Sequence, residues 1–367
     1  MVNVLHIVQS LNTGGLERFV IELMRTYSAD VVAYVVCLEE AGDLAANSEG
    51  TTVIALNEKP GLKLWAIYKI IQICKTNKIQ LIHTHNEAAH FYGSLAGVLT
   101  GLPIVHTRHG RYAHNSSKKM LMNIFSSFLA TAIVGVSEDV TNMLIKMEKI
   151  SFPKALTILN GVDIDHFSPR FASTITDKNN DINRNSIMIG IVARLVKVKD
   201  HSNLLKACHE LKKSDVNFKL LIVGDGCERS RLENEVDTLG LRECVEFMGV
   251  RKDIASILRQ LDIYVLSSIS EGISLTLLEA MSCSLPVVAT DVGGNSEVVI
   301  DGETGFIVPA RHPELLATKI LAMINDNDLR IKMGKSGRER IIKCFSILQT
   351  AKTYRQLYQH VMGNIYA

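Results

Sequence analysis

Two glutamates, Glu271 and Glu279, bracket the segment Glu-Gly-Ile-Ser-Leu-Thr-Leu-Leu-Glu and are the side chains best placed to do chemistry. Before them, Leu261–Leu266 is an apolar run that reads as a buried parallel strand ending in Ser267-Ser268. After Glu271, the apolar residues Leu277, Leu278, Ala280 and Met281 mark a helix. A strand end, a small-residue turn and a helix start set both carboxylates beside free backbone N–H groups. Such N–H groups attract phosphate, and carboxylates accept hydrogen bonds from hydroxyls. A sugar-nucleotide, hydroxyl-rich at both ends and anionic in the middle, suits that pairing.

Cations stand at a second strand end. Arg194 and Lys199 lie just beyond the run Ile187–Val192, in Ala193-Arg194-Leu195-Val196-Lys197-Val198-Lys199. At the C-terminal edge of a parallel strand they can neutralise a diphosphate leaving group, or simply be solvated loop residues. His109 follows the run Pro103–Thr107 and can donate to a substrate hydroxyl or phosphate, or serve as a loop residue. His83 and His85 also end a strand, but no Cys/Glu cluster flanks them, so no metal site is expected. His6, inside the first strand, reads as a core or cleft residue. Gly14-Gly15 follows that strand and permits close backbone approach to a ligand. It is neither a GxGxxG fingerprint nor a P-loop, and a plain tight turn is the competing reading. Asn160-Gly161-Val162-Asp163, Gly224-Asp225-Gly226 and Gly293-Gly294 are turn signals that are structural as readily as functional.

The elements that must position these residues alternate along the chain. Strands read at Val4–Val8, Asp30–Leu38, Gln80–Thr84, Pro103–Thr107 and Thr131–Gly135, with helices at Glu17–Met24, Leu62–Thr76, Ala88–Leu99 and Lys118–Leu129 between them. Pattern is lost from Phe167 to Ser186, where Pro, Ser, Thr, Asn and Asp accumulate. A second series then runs from Ile187–Val192 through strands at Phe218–Val223, Val245–Phe247, Ile263–Leu266, Val287–Thr290 and Gly305–Val308. Its helices read at Ser202–Lys213, Glu228–Leu239, Asp253–Gln260 and Pro313–Asn325. Apolar strands alternating with helices predict α/β units on parallel sheets. The expected division is a first domain over 1–166, a linker over 167–186, a second domain over 187–347 and a terminal helix over 348–367. Two such units leave a cleft, a favoured ligand site.

Composition narrows the function classes. With 367 residues, two domains are the prior, and 47% hydrophobic residues support well-buried cores. A formal net charge of +2 gives no field for nucleic acid, so no such partner is expected. Cysteines at 37, 74, 208, 227, 244, 283 and 344 have no CxxC spacing, which fits a reducing compartment. The chain opens at once on a strand and has no apolar run long enough to span a bilayer. A cytoplasmic protein is expected. One helix qualifies this. Lys118-Lys119 with Met120, Leu121, Ile124, Phe125 and Phe128 reads either as a core-packed helix or as a basic, apolar face for peripheral contact with the inner membrane.

Together these motifs resemble one family, the retaining glycosyltransferases of family 4, which have the GT-B fold. The paired-glutamate segment Glu271–Met281 carries most of the likeness, followed by Pro286–Gly294. Thr13–Glu17, Asn160–Asp163, Arg194–Lys199 and Val223–Gly226 match in order. Ala193 departs from the glycine that many members have before the arginine. The resemblance implies two Rossmann-like domains with parallel sheets facing across a cleft, an acceptor-side N-terminal domain, and a C-terminal helix returning to it. It implies Arg194 and Lys199 as the diphosphate-binding pair, Glu271 on the transferred sugar and Glu279 on the ribose hydroxyls. His109 would stand near the sugar's C6 hydroxyl, and Gly15 near donor phosphate and acceptor. Backbone around Ser274, Leu275 and Thr276 would bind phosphate, and Gly224 would line the nucleotide's path. The implied reaction moves a sugar from a UDP- or GDP-sugar to a hydroxyl of a saccharide or lipid-linked saccharide, without cofactor or metal. Gly-Gly-Leu-Glu near the start and Asp-Val-Gly-Gly-Asn after the glutamates are similar to bacterial enzymes of surface polysaccharide, exopolysaccharide and lipopolysaccharide assembly. A sugar-nucleotide-binding scaffold without turnover, or a GT-B epimerase, are the alternatives.

Overall fold

Short runs of Val, Ile and Leu that are buried from end to end can only be satisfied by a sheet covered on both faces. The computed structural model describes residues 1–12, 14–27, 30–47, 50–58, 63–110, 117–151, 153–169 and 186–363. It divides into two units, Met1–Gly161 with Ile347–Ala367, and Val162–Ser346.

In the first unit, β1 (Val2–Val8), α1 (Gly15–Arg25), β2 (Val31–Cys37), β3 (Thr52–Ala55), α2 (Leu64–Thr76) and β4 (Leu81–Thr84) come first. Then follow α3 (Glu87–Thr100), β5 (Ile104–Arg108), α4 (Ser117–Leu129), β6 (Ala132–Gly135), α5 (Glu138–Met147) and β7 (Ala155–Thr157). The seven strands pair in parallel in the order β3-β2-β1-β4-β5-β6-β7. Register sets His6 beside His83 on β1 and β4, and Thr84 beside His106 on β4 and β5. His6 and His83 share one face; Leu5, Ile7 and Ile82, with Thr84, turn to the other, where the three apolar residues pack with Ile67 and Ile70 of α2 and Ala96 of α3.

The second unit runs β8 (Ile187–Val192), α6 (His201–Lys212), β9 (Phe218–Val223), α7 (Arg229–Thr238), β10 (Val245–Gly249) and α8 (Ile254–Leu258). It continues through β11 (Ile263–Leu266), α9 (Leu275–Ser282), β12 (Val287–Thr290), α10 (Asn295–Val298), β13 (Gly305–Val308), α11 (Pro313–Asn325) and α12 (Asn327–Cys344). Its parallel order is β10-β9-β8-β11-β12-β13. The last helix, α13 (Ile347–Gly363), belongs to the first unit. There it buries Tyr354 and Tyr358, and Tyr358 meets Tyr27, OH to OH, at 2.9 Å.

Four elements lie outside the strands and helices expected from sequence: β3, β7, α5 and α12. α12 is the plainest case, because its buried residues are Met333, Gly334, Gly337 and Ile341. Two glycines leave it almost no apolar stripe. Residues 162–169 join the second unit rather than the first. Arg259 donates to Ser168 O and His166 O at 3.0 and 2.8 Å, and Ser282 Oγ donates to Phe167 O at 2.5 Å. Of the expected linker, residues 170–185 lie outside the described residues, as do Thr13 and Arg111.

Candidate functional site

At the C-terminal ends of β8, β9, β11 and β12, loops carry most of the residues singled out from sequence. The loop after β8 is tied to the loop after β11 at two points. Ile269 N donates to Val198 O at 2.9 Å, and Ser267 Oγ donates to Lys199 O at 3.0 Å. Lys199 Nζ thereby comes to 2.6 Å from Glu271 Oε1, an oxygen that also accepts from Ser268 Oγ at 2.6 Å. The Lys199 and Glu271 side chains are only 18% and 9% exposed, so the pair is shielded from water. Arg194, on the same loop, is exposed, and its side chain has no ion-pair or hydrogen-bond partner among the described residues. One cation is thus held in place and the other left open.

Two glycines let the loops close on one another. Gly224 has φ +135°, and a Cβ there would stand 2.0 Å from Ala193 O. Gly293 has φ +56°, and its Cβ would stand 2.0 Å from Glu271 O. An L side chain at either position is both strained and without room. Gly294 N donates to Gly272 O at 2.7 Å, and Leu195 N donates to Asp225 O at 2.9 Å, completing the contact of loops.

α9 begins directly after Ser274, whose hydroxyl caps it by accepting from Leu277 N at 3.4 Å. Thr276 Oγ1 accepts from Tyr264 OH at 2.7 Å. The N–H groups of Leu275 and Thr276 have no acceptor among the described residues, as the first helical turn requires. Glu279, one turn on, is buried at 3% exposure. The second unit therefore gathers Lys199, Glu271, Glu279, Gly224 and the start of α9 on one sheet edge. A cavity of about 400 Å³ adjoins that edge, lined among others by Lys197, Asp200, His201, Arg231 and Arg311. His201 is buried, and its ring nitrogens have no partner among the described residues; burial pushes its pKa down to about 4. Nothing in its spacing marked it; it is simply the residue after Lys199-Asp200.

Gly15 and His109 lie in the first unit. Gly15 is the first residue of α1, and Phe19 of that helix meets the His109 ring edge-on at 5.4 Å. His109 Nε2 lies 3.2 Å from His85 Nδ1, and burial pushes the His109 pKa down to about 3. Behind it, His6, His83 and His85 offer ring nitrogens within 4.8 Å of one another, a spacing that a metal ion could use. All six of those nitrogens are instead engaged with one another, with His109, or with Tyr27, Tyr358 and Thr107.

α4 is built inside out. Asn123, Ser126 and Ser127 are buried, while Leu121, Phe125 and Phe128 are 68%, 47% and 79% exposed. Its inward face is satisfied by polar partners. Asn123 Nδ2 donates to Glu87 Oε1 at 2.9 Å, and Ser127 Oγ donates to Glu148 Oε2 at 3.3 Å. Glu148 in turn pairs with the buried Arg108. A helix whose apolar side faced the core would show the reverse. Exposed Lys119 and the Lys154 ammonium, 5.8 Å from the Phe128 ring, border the apolar side. Among the described residues, no helix is long and apolar enough to cross a membrane.

Known proteins place this architecture. Residues 13–166 match the family model Glycosyltransferase Family 4, and residues 173–340 match Glycosyl transferases group 1. An uncharacterized glycosyltransferase of Methanocaldococcus jannaschii is 32% identical over 302 residues, covering 80% of this chain and 79% of that protein. The UDP-Gal:alpha-D-GlcNAc-diphosphoundecaprenol alpha-1,3-galactosyltransferase of Escherichia coli is 27% identical over 312 residues, covering 82% and 80%. The crystal structure of a glycosyltransferase from Rickettsia africae ESF-5 superposes with a TM-score of 0.86 at 25% identity, covering 99% of both chains. Two parallel sheets, the returning helix and both halves of the sequence lead to one conclusion: the chain belongs to glycosyltransferase family 4, has the GT-B fold, and is a glycosyltransferase.

Proposed function

We propose that this enzyme takes a sugar from a nucleoside diphosphate sugar, a UDP-sugar first of all, and transfers it with retention to a hydroxyl of a lipid-linked saccharide in bacterial surface polysaccharide assembly. The observation that carries the reading is the Lys199–Glu271 pair beside the open first turn of α9. Arg194 and Lys199 offset charge growing on the departing diphosphate, aided by the N–H groups of Leu275 and Thr276. Glu271 orients the transferred sugar, Glu279 takes the ribose hydroxyls, and His109 meets a hydroxyl of that sugar. The bond from the anomeric carbon to phosphate breaks as the bond to the acceptor oxygen forms on the same face. The acceptor's proton passes to the leaving phosphate oxygen. The galactosyltransferase relative, with its UDP-Gal donor and diphosphoundecaprenol acceptor, supports both the nucleotide and the lipid-linked partner. The exposed apolar side of α4, bordered by lysines, supports seating at an anionic membrane surface, where such an acceptor resides.

Calorimetry with UDP tests the nucleotide site. UDP should bind the wild type, and Glu279→Ala should weaken it by about tenfold, the worth of one charged hydrogen bond. Equal affinity in the variant removes Glu279 from the ribose. A folded protein that binds neither UDP nor GDP overturns the reading.

A further inference from the structure

One buried chain of hydrogen bonds runs through the first unit and ends at His109. His109 Nε2 meets His85 Nδ1 at 3.2 Å, and His85 Nε2 meets His6 Nδ1 at 2.9 Å. His6 Nε2 meets Tyr27 OH at 3.2 Å, and Tyr27 OH meets Tyr358 OH at 2.9 Å. Tyr358 OH meets His83 Nδ1 at 2.7 Å, His83 Nε2 meets Thr107 Oγ1 at 2.7 Å, and Thr107 Oγ1 meets Tyr354 OH at 2.9 Å. The sheet register makes this continuous, since His6 and His83 are cross-strand neighbours. α13 closes it with two tyrosines.

Counting protons gives the chain a direction. Burial holds His6 and His109 down to pKa values of about 3, and holds His83 and His85 well below their usual range. Each imidazole is therefore neutral and carries one N–H. The eight side chains bring eight exchangeable protons to the seven bonds just named, so one proton lies outside the chain. It cannot sit on His6, His83 or His85, whose nitrogens are all engaged. On Tyr358, Thr107 or Tyr354 it would be a buried O–H without an acceptor among the described residues, costing about 1–3 kcal/mol, and on the half-buried Tyr27, whose oxygen already meets His6 and Tyr358, it would likewise have no acceptor among them. His109 is half-buried, and its Nδ1 is not one of the enclosed, unpartnered atoms. The spare proton belongs there. Every bond then points the same way, from Tyr354 O–H through to His85 Nδ1–H, which donates to His109 Nε2.

We propose that His85, backed by this chain, is a positioning residue that locks His109 in its Nδ1–H tautomer, so that His109 offers the transferred sugar a fixed hydrogen-bond donor. Free histidine favours the opposite tautomer, so the protein reverses an intrinsic preference. A locked Nδ1–H cannot act as a base toward the acceptor, which leaves the phosphate oxygen to take that proton. The lock itself follows from the first unit alone; its use on a sugar rests on the function proposed above.

The test reads the tautomer directly, by ¹⁵N correlation spectroscopy of ring nitrogens in the full-length, histidine-labelled protein without ligand. His109 is assigned by the signal lost in His109→Gln. In the wild type, His109 should be protonated at Nδ1; protonation at Nε2 overturns the proposal without need of any variant. His85→Phe should return His109 to the Nε2–H form, whereas His85→Gln, whose amide can accept from His6 and donate to His109, should keep Nδ1–H. An unchanged tautomer in His85→Phe also overturns it. In a transferase assay, kcat should fall about tenfold or more in His85→Phe and recover in His85→Gln, with UDP affinity unchanged in both. Equal kcat losses in the two variants would make His85 merely structural. The expected spectrum from a protein that transfers no sugar supports the lock and sinks the functional reading alone.

Discussion

Lys199 does two things at once. It neutralises Glu271, whose side chain is 9% exposed, and in the function proposed above it also meets the donor's diphosphate. Lys199→Met keeps the aliphatic stem and removes only the charge. Turnover should fall by about 10²–10³-fold, the usual cost of one cation at a leaving phosphate. Tm should also fall by a few degrees, because the nearly buried Glu271 carboxylate keeps its Ser268 partner but loses its counter-charge. A donor-saturated transferase assay checks this, and an undiminished kcat/KM contradicts it. Glu271, Lys199 and Arg194 could be singled out from sequence because each follows an apolar run, and strand ends are where such folds bind ligands. Their pairing could not. It depends on the Ile269–Val198 and Ser267–Lys199 contacts between loops far apart in the chain.

Among the elements, α4 departs most from what its composition suggests. Its apolar residues satisfy a helical stripe, so periodicity alone allows a core-packed helix. The core offered to it is polar, however: Glu87 and Glu148 supply partners for Asn123 and Ser127, and Arg108 pairs with Glu148. The aromatic stripe is consequently turned outward. Replacing Leu121, Phe125 and Phe128 together by serine should lower binding to anionic phospholipid vesicles by about tenfold or more, given roughly 1.5–3 kcal/mol for each large side chain fully buried. UDP affinity should not change, since the nucleotide site proposed above lies in the second unit. Vesicle co-sedimentation at low and high salt reads the first, calorimetry the second; retained co-sedimentation would remove α4 from the membrane role.

At the scale of the whole molecule, stability should depend on pH through the histidines. His6, His83, His85, His90, His106 and His109 all have folded pKa values far below the ordinary 6.5, chiefly because burial disfavours their charged form. The unfolded chain accepts protons that the fold refuses. Stability present above about pH 6.5 is therefore lost as pH falls toward the depressed folded values, by up to about 1.4 kcal/mol per pH unit for each histidine. Tm should drop by roughly 10 °C or more between pH 7 and pH 5, above the range where carboxylates titrate. Calorimetric scans across that interval would falsify this if Tm stayed level.

From its own residues, the chain determined the alternation of apolar strands and helices, and with it two parallel sheets. It also determined the strand ends followed by Arg194, Lys199 and Glu271 and the helix bearing Glu279, because apolar runs and turn residues act locally. Tertiary structure decided what no local pattern encodes. His6 and His85 are 79 positions apart and touch only because β1 pairs with β4. The phenols of Tyr358 and Tyr354 reach His83 and Thr107 only because α13 folds back onto that sheet face. A hydrogen-bond chain is a property of register and facing, and both are set by pairing between distant segments.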